Sequence, residues 1–385
     1  MIIVKVLMKQ QEILSNYQEN AQKACRRGII FLLPENVPPN SLPKAGFMAD
    51  ITPRERVWQS IRHNQPDRVP WHFPSTIPTR IKLENHFGTS DLVTVLDQNL
   101  VKFSGRANQP AVEIKPDFFR DEFGVVWNRT VDKDIGAVEE FLLKDRSLKG
   151  FQFPNPHDPK RSATLLAFAE THKTRFRLFS LSFSLFERAW ILRGMEELMM
   201  DMLEAPGFVD ELLDAILEYD LAILEDVLKC DFDGVSFGDD WGGQNGLLFG
   251  PRLWRRFIKP RVAQLYDKTK KAGKAVFIHS CGKVQSLFPE LIELGLDVFN
   301  PFQPEVMDPY EIKKQFGSQL CFYGGVSVQK LLPYGTPAEI RSEVKRLMEE
   351  VGQGGGFIVA PSHDMPGDIP LENMLAFIDT VRSQE

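Results

Sequence analysis

"AVFIHSCGKVQSLFPELIELGLDVFN", residues 275–300, is the stretch that decides the fold. It opens on an apolar run, AVFIH (275–279), and turns at a polar cluster. It then passes through an amphipathic stretch and ends on a second apolar run, LDVFN (296–300). Apolar runs of this length read as strands buried on both faces, and a helix between two of them suits a parallel pair. The turn also sets His279 two residues from Cys281, just before Gly282. The fold and the chemistry are therefore read from the same place.

The alternation continues in both directions. Candidate strands are RVPWHF (68–73), AVEI (111–114), RLFSLSF (177–183), DGVSFGD (233–239), AVFIH (275–279), LDVFN (296–300), LCFYGG (320–325) and GFIVAP (356–361). Helix starts are marked at Thr52–Glu55, Asp308–Glu311 and Thr336–Glu339. Each places a cap residue, then proline, then glutamate, so that otherwise orphan backbone donors are satisfied. Residues 208–229 carry a 3.6-residue apolar stripe, and 251–273 carry another, interrupted or started late at Pro260 with Gly273 as its C-cap. Eight β runs alternating with helices predict an α/β fold, a (β/α)8 TIM barrel. Residues 115–160 read as an insertion near the second strand, covering the barrel mouth. The alternative is an open doubly wound sheet, but no GxGxxG follows the first strand.

The composition is that of a soluble globular chain: 385 residues, 43% hydrophobic and 25% charged, with a net charge of -6. Nothing in that balance points to a nucleic-acid or anionic-membrane surface. The four cysteines, Cys25, Cys230, Cys281 and Cys321, have no CxxC spacing and suit a reducing cytoplasm as free thiols. The longest mainly apolar stretch, 176–186, is about half of what a membrane span needs. Residues 1–47 read differently from the rest. They are either an extension ahead of Met48 or a peripheral helix, and the catalytic barrel is expected over 48–385.

In a parallel barrel the active site lies at the C-terminal ends of the strands. Polar residues gather there: Asp239, Asp240, Trp241 and Gln244 after the fourth run, and His279 and Cys281 after the fifth. Asn300 and Gln303 follow the sixth, Ser362, His363 and Asp364 the eighth, and His72 lies in the first. A thiolate and an imidazole two residues apart on an extended chain face the same side and can reach one ion. The third donor is His363, or failing that Asp239 or Asp240. The plainer reading is a buried thiol and a hydrogen-bonded histidine. Asp239 and Asp240 are adjacent, so only one faces the pore, as a general acid/base or substrate ligand; either could instead cap the loop that follows. The glycines at 354–356 read as a tight turn, since no phosphate-cradle signature follows them.

Four segments, SFGDDWGGQNGLLFGPRLWRRFIKPR, VFIHSCGKVQSLFPELIELGLDVFNPFQP, CFYGGVSVQKLLPYGTPAEI and GGGFIVAPSHDMPGDIPLENM, resemble the uroporphyrinogen decarboxylase superfamily in its order, over roughly residues 50–385. The resemblance implies a (β/α)8 barrel and one of two reactions. One branch decarboxylates porphyrinogens without a cofactor. It carries an MRQAGR-type segment near the first strand, where this chain has PWHFPSTIPTR (70–80) with Arg80 as its one arginine. The other branch consists of zinc-dependent methyltransferases that work with a corrinoid (cobalamin) protein. It carries a His-x-Cys pair, matched by His279 and Cys281, and a cysteine in a PGCG-like turn. Here that turn reads PSHD, with His363 in the cysteine's place. Decarboxylases also have a histidine near this turn.

The resemblance thus implies zinc on His279, Cys281 and His363 and a corrinoid carried by a partner protein. Asp239 or Asp240, with His72, Trp241, Gln244, Asn300 and Gln303, would line the substrate pocket. The expected activity is methyl transfer to or from a small molecule. Porphyrinogen-type decarboxylation and a non-catalytic corrinoid-binding barrel are the alternatives, and a homodimer is left open.

Overall fold

The computed structural model describes residues 51–104 and 112–384. The expected extension over 1–47 lies outside the described residues. The chain builds β1 (Leu100–Ser104), then four short strands: β2 (Val112–Lys115), β3 (Phe118–Arg120), β4 (Val126–Asn128) and β5 (Ala137–Val138). It returns to β6 (Phe176–Leu181) and β7 (Gly234–Gly238), and makes a small hairpin of β8 (Gly242–Gly243) and β9 (Gly246–Leu247). It finishes with β10 (Ala275–His279), β11 (Val298–Phe302), β12 (Cys321–Val326) and β13 (Phe357–Pro361). Seven of these form one parallel sheet in the order β1-β6-β7-β10-β11-β12-β13, while β2–β5 form a separate antiparallel sheet.

The eighth barrel position is held by isolated bridges in place of a full strand, Trp71 to Val359 and, farther on, Ser75 to Met365. Trp71 pairs in parallel with Val359 of β13. Val359 N–H donates to Pro70 O at 2.9 Å and His72 N–H to Val359 O at 3.2 Å. On the other side, Asn99 N–H donates to Trp71 O at 3.2 Å. Side-chain amides replace a longer ladder: Trp71 N–H donates to Asn99 Oδ1 at 2.9 Å, and Phe73 N–H to Gln98 Oε1 at 3.0 Å. Pro70 and Pro74 flank this segment and have no N–H to give, which keeps the pairing short. The barrel is thereby closed.

One expected strand is corrected. AVEI (111–114) is not the second barrel strand; its residues from Val112 onward belong to β2, whose four residues are all exposed. The second position is LVKFS, β1, buried at Leu100, Val101 and Phe103. β-propensity favoured both runs, and Lys102 in the middle of β1 broke its apolar signature. Burial, which decides membership of a barrel, is not a local property of four residues.

Side chains alternate as the period of two requires. Leu100, Phe176, Leu178, Phe277, Val298, Tyr323 and Ile358 fill the lower barrel interior, where they meet Val57, Trp58 and Ile61. Those three lie on the helix Pro53–Ile61, which starts at a complete capping box on Thr52 and plugs the lower end. Farther along, the helix after β9 breaks into a π turn, Trp254–Ile258, just before Pro260, which lacks the N–H an unbroken α-helix would aim at Arg256. At the upper end, Trp127 of β4 stacks on Phe183 with centroids 5.5 Å apart. Arg188 Nη1 donates to Asp121 Oδ2 at 3.2 Å, and Ile77 N–H donates to Asp134 Oδ1 at 3.2 Å. The antiparallel insertion therefore reaches across the open end of the barrel. Among the described residues, no helix is long and apolar enough to cross a membrane.

The plug is fixed through Asp233, just before β7. Its carboxylate accepts from Arg54 Nε at 2.7 Å, Trp58 Nε1 at 3.2 Å, Arg177 N–H at 2.9 Å and Arg177 Nε at 3.1 Å. The Arg177 side chain is fully buried. Removing the acid takes away the buried partner of the guanidinium and leaves it only the more exposed Asp231 and the Ala169 carbonyl, so Asp233→Ala should cost about 2–4 kcal/mol of unfolding free energy in urea titration. A loss under about 1 kcal/mol, the range of an exposed ion pair, would show that the plug does not depend on this carboxylate.

Candidate metal centre at the barrel mouth

His279 is the last residue of β10. Cys281 follows two residues later, and the chain then turns at Gly282, which has a φ of 83°. A Cβ there would lie 2.4 Å from the Gly242 carbonyl carbon, so only glycine lets the turn pack against the β8–β9 hairpin. This contact keeps the thiol at the strand end. Cys281 Sγ lies 3.5 Å from His279 Nε2. The His363 ring meets the His279 ring edge-on, with centroids 5.3 Å apart. One donor atom from each of His279, Cys281 and His363 falls within 4.8 Å of the others.

Neighbouring groups orient these donors. In the parallel register His279 is level with Asn300 of β11. Asn300 Nδ2 donates to Tyr323 O at 3.0 Å, so its Oδ1 faces His279 Nδ1, 2.6 Å away. A carbonyl can only accept; the amide orientation therefore places the imidazole proton on Nδ1 and turns the Nε2 lone pair toward Cys281 and His363. This is the usual way a metal-binding histidine is held. Zinc bonds of about 2.0–2.3 Å at tetrahedral angles set ligand atoms roughly 3.3–3.8 Å apart. The sulfur–imidazole distance already fits, and the remaining gaps, no longer than 4.8 Å, need to close by up to about 1.5 Å. The donor set suits zinc.

Asp239 and Asp240 part company. Asp240 Oδ1 accepts from Cys281 N–H at 2.7 Å, beside the donors. Asp239 is buried and turns elsewhere: it accepts from Trp241 Nε1 at 2.6 Å and Glu187 N–H at 2.8 Å. Burial pushes its carboxyl up to about 7, against those two donors. Trp241 has no exposed surface and packs against Trp254. Gln244 is exposed at the tip of the β8–β9 hairpin. Gln303 is buried, and its carbonyl accepts from Val306 and Met307. His72 is buried with Nδ1 on the Tyr323 hydroxyl, and burial, followed by the Lys102 charge, lowers its pKa to about 3. The centre thus unites His279, Cys281, His363, Asp240 and Asn300; Asp239 and Trp241 lie behind the wall.

The sequence pattern drew attention to Asp364 but not to its charged partner, Lys102. Lys102 Nζ lies 3.7 Å from Asp364 Oδ1. A lone lysine inside an otherwise apolar run was the available signal. Burial, then the Asp240 charge, pushes the Cys281 thiol well up. Burial also lowers His279, outweighing Asp240. Without a cation the pair is therefore a neutral thiol and a neutral imidazole.

A family profile described as uroporphyrinogen decarboxylase (URO-D) matches residues 133–384. The chain is 25% identical over 184 residues to the uroporphyrinogen decarboxylase of Hydrogenovibrio crunogenus, covering 47% of this chain and 49% of that one. It is 27% identical over 177 residues to that of Actinobacillus succinogenes, covering 46% and 48%. The chain spans about half the length of the curated relatives it matches. A solved methyltransferase from Methanosarcina mazei superposes with a TM-score of 0.67 at 16% identity, over 86% of this chain and 98% of that one. At that identity the likeness is one of fold, and it agrees with the (β/α)8 barrel.

The neutral thiol has a measurable consequence. In metal-free protein, Cys281 should react with iodoacetamide more slowly than free cysteine at pH 7–8, followed by peptide mass spectrometry. Asp240→Asn removes a charge that raises the thiol pKa, so it should speed the reaction. Fast alkylation in the wild type, or slower alkylation in the variant, would contradict the electrostatics described.

Proposed function

The chain belongs to the uroporphyrinogen decarboxylase (URO-D) family, and within that family we propose a zinc-dependent methyltransferase. It moves a methyl group between a small substrate and a corrinoid carried by a partner protein. The observation that carries this reading is the convergence of His279, Cys281 and His363. His279, Cys281 and His363 would hold the zinc, which would supply Lewis acidity: it would lower the pKa of a substrate thiol or make a methoxy oxygen a better leaving group.

The chain's own residues prepare that position. Asn300 holds His279 in the tautomer that offers Nε2. Asp240 fixes the backbone of Cys281. Trp127 and Phe183 of the insertion and strand-end layer exclude water above the barrel. Gln244 at the rim, with His72 and Gln303 deeper in, contacts the substrate.

Decarboxylation of a porphyrinogen is the rival reading, motivated by the curated relatives. It requires cations for many carboxylates and a free acid in the pore. Arg80 is more than half exposed on the helix Ile77–Phe87 and pairs with Glu84. Lys102 is paired with Asp364, and both oxygens of Asp239 are engaged. Asp240 stays at the mouth with Oδ1 on Cys281 N–H, so it is the pairing of Arg80 and Lys102, not a lack of acids, that supports methyl transfer.

Metal analysis tests the proposal. Purified protein should hold about one equivalent of zinc, and His279→Ala/Cys281→Ser should hold almost none. Turnover of uroporphyrinogen by metal-stripped protein, with no zinc retained by the wild type, would overturn it. The pH dependence has a definite sign. His279 is already neutral at pH 7, while Cys281 must lose a proton to bind. Apparent zinc affinity should therefore rise by about tenfold per pH unit through neutrality, with about one proton released per zinc in titration calorimetry.

A further inference from the structure

His363 is the one proposed ligand that does not stand on or beside a strand shared with the other two. It lies in the turn after β13, and both ends of that turn are tied down. Ser362 N–H donates to Val326 O at 2.7 Å, and Ser362 Oγ accepts from Val328 N–H at 3.3 Å. Beyond the turn, Met365 N–H donates to Pro74 O at 2.9 Å, and Met365 O accepts from Thr76 N–H at 3.1 Å. Between these anchors sit His363 and Asp364. Among the described residues, neither is fixed by a backbone hydrogen bond. The contacts that hold them are the ring contact with His279 and the ion pair from Asp364 to Lys102.

Lys102 comes from the opposite wall of the closure. Leu100, two residues earlier on β1, points into the barrel interior, so Lys102 rises on the same face toward the mouth. Its Nζ is 3.7 Å from Asp364, a charge contact longer than a hydrogen bond, with about a third of each side chain exposed. Lys102 is the one exposed residue of this strand, with its charge at the mouth. We propose that Lys102 is a positioning residue for the metal centre: through Asp364 it pins the free middle of the turn and so holds His363 over His279 and Cys281. This rests on the metal reading above and assigns Lys102 no contact with substrate.

The sign of its effect separates positioning from plain electrostatics. Removing a positive charge near a cation site favours the cation by Coulomb's law alone. Loss of positioning does the reverse. Zinc dissociation constants would be measured by competition with a chromophoric chelator for wild type, Lys102→Met, Lys102→Arg, His363→Ala and the Lys102→Met/His363→Ala double variant. Lys102→Met should weaken binding by about three- to fivefold, the scale of a part-exposed ion pair, and Lys102→Arg should recover most of it. In the His363→Ala background, Lys102→Met should add nothing, because the residue it acts through is gone. The visible absorption of the cobalt(II)-loaded Lys102→Met protein should move toward that of His363→Ala.

Unchanged or tighter zinc binding in Lys102→Met, or additive losses in the double variant, would overturn the proposal. If Lys102→Met proves unfolded by circular dichroism, Lys102→Gln carries the same comparison. A wild type that binds no zinc at all sinks the metal reading itself, which is a distinct result.

Discussion

The closure of the barrel at Trp71 is the constraint on which the rest of this molecule depends. An open parallel sheet leaves two rows of unpaired backbone groups, and β1 and β13 would each present one. Trp71 joins them, helped by the side-chain amides of Gln98 and Asn99. Residues 74–76 are then laid beside Met365, which brings the His363 turn over β10. The same closure puts His72 against Tyr323, whose carbonyl orients Asn300 and, through it, His279. The chemistry at the mouth is thus tied to a short joint with two bridged residues, Trp71 and Ser75.

Much of this was legible in local pattern. The last five apolar runs became β7 and β10–β13, because strands buried on both faces leave a signature that needs no partner to be read. The Thr52 and Thr336 boxes formed as the cap–proline–glutamate spacing requires. His279 and Cys281 fall on one side because side chains alternate. The same rule anticipated that Asp239 and Asp240 would diverge. It could not say which would turn inward, since that depends on where the Trp241 indole packs.

The rest depended on distant parts of the chain. LVKFS was hidden by its lysine, and AVEI looked more like a barrel strand than it is. The pairing of His279 with Asn300 follows from the register of β10 against β11, which is set by the packing of the connection between them and not by either strand alone. The Asn300 amide bridges His279 and the Tyr323 carbonyl for the same reason. The approach of His363, 82 residues beyond Cys281, follows from the curvature of the sheet.

The plug at the lower end has a kinetic corollary. With Trp58 against Phe176 and Asp233 locking the helix in place, nothing can thread the barrel from below. Whatever reaches His279 enters through the same doorway by which its product leaves. On the methyl transfer proposed above, the small substrate and the partner that carries the corrinoid would both have to be accommodated at that one doorway.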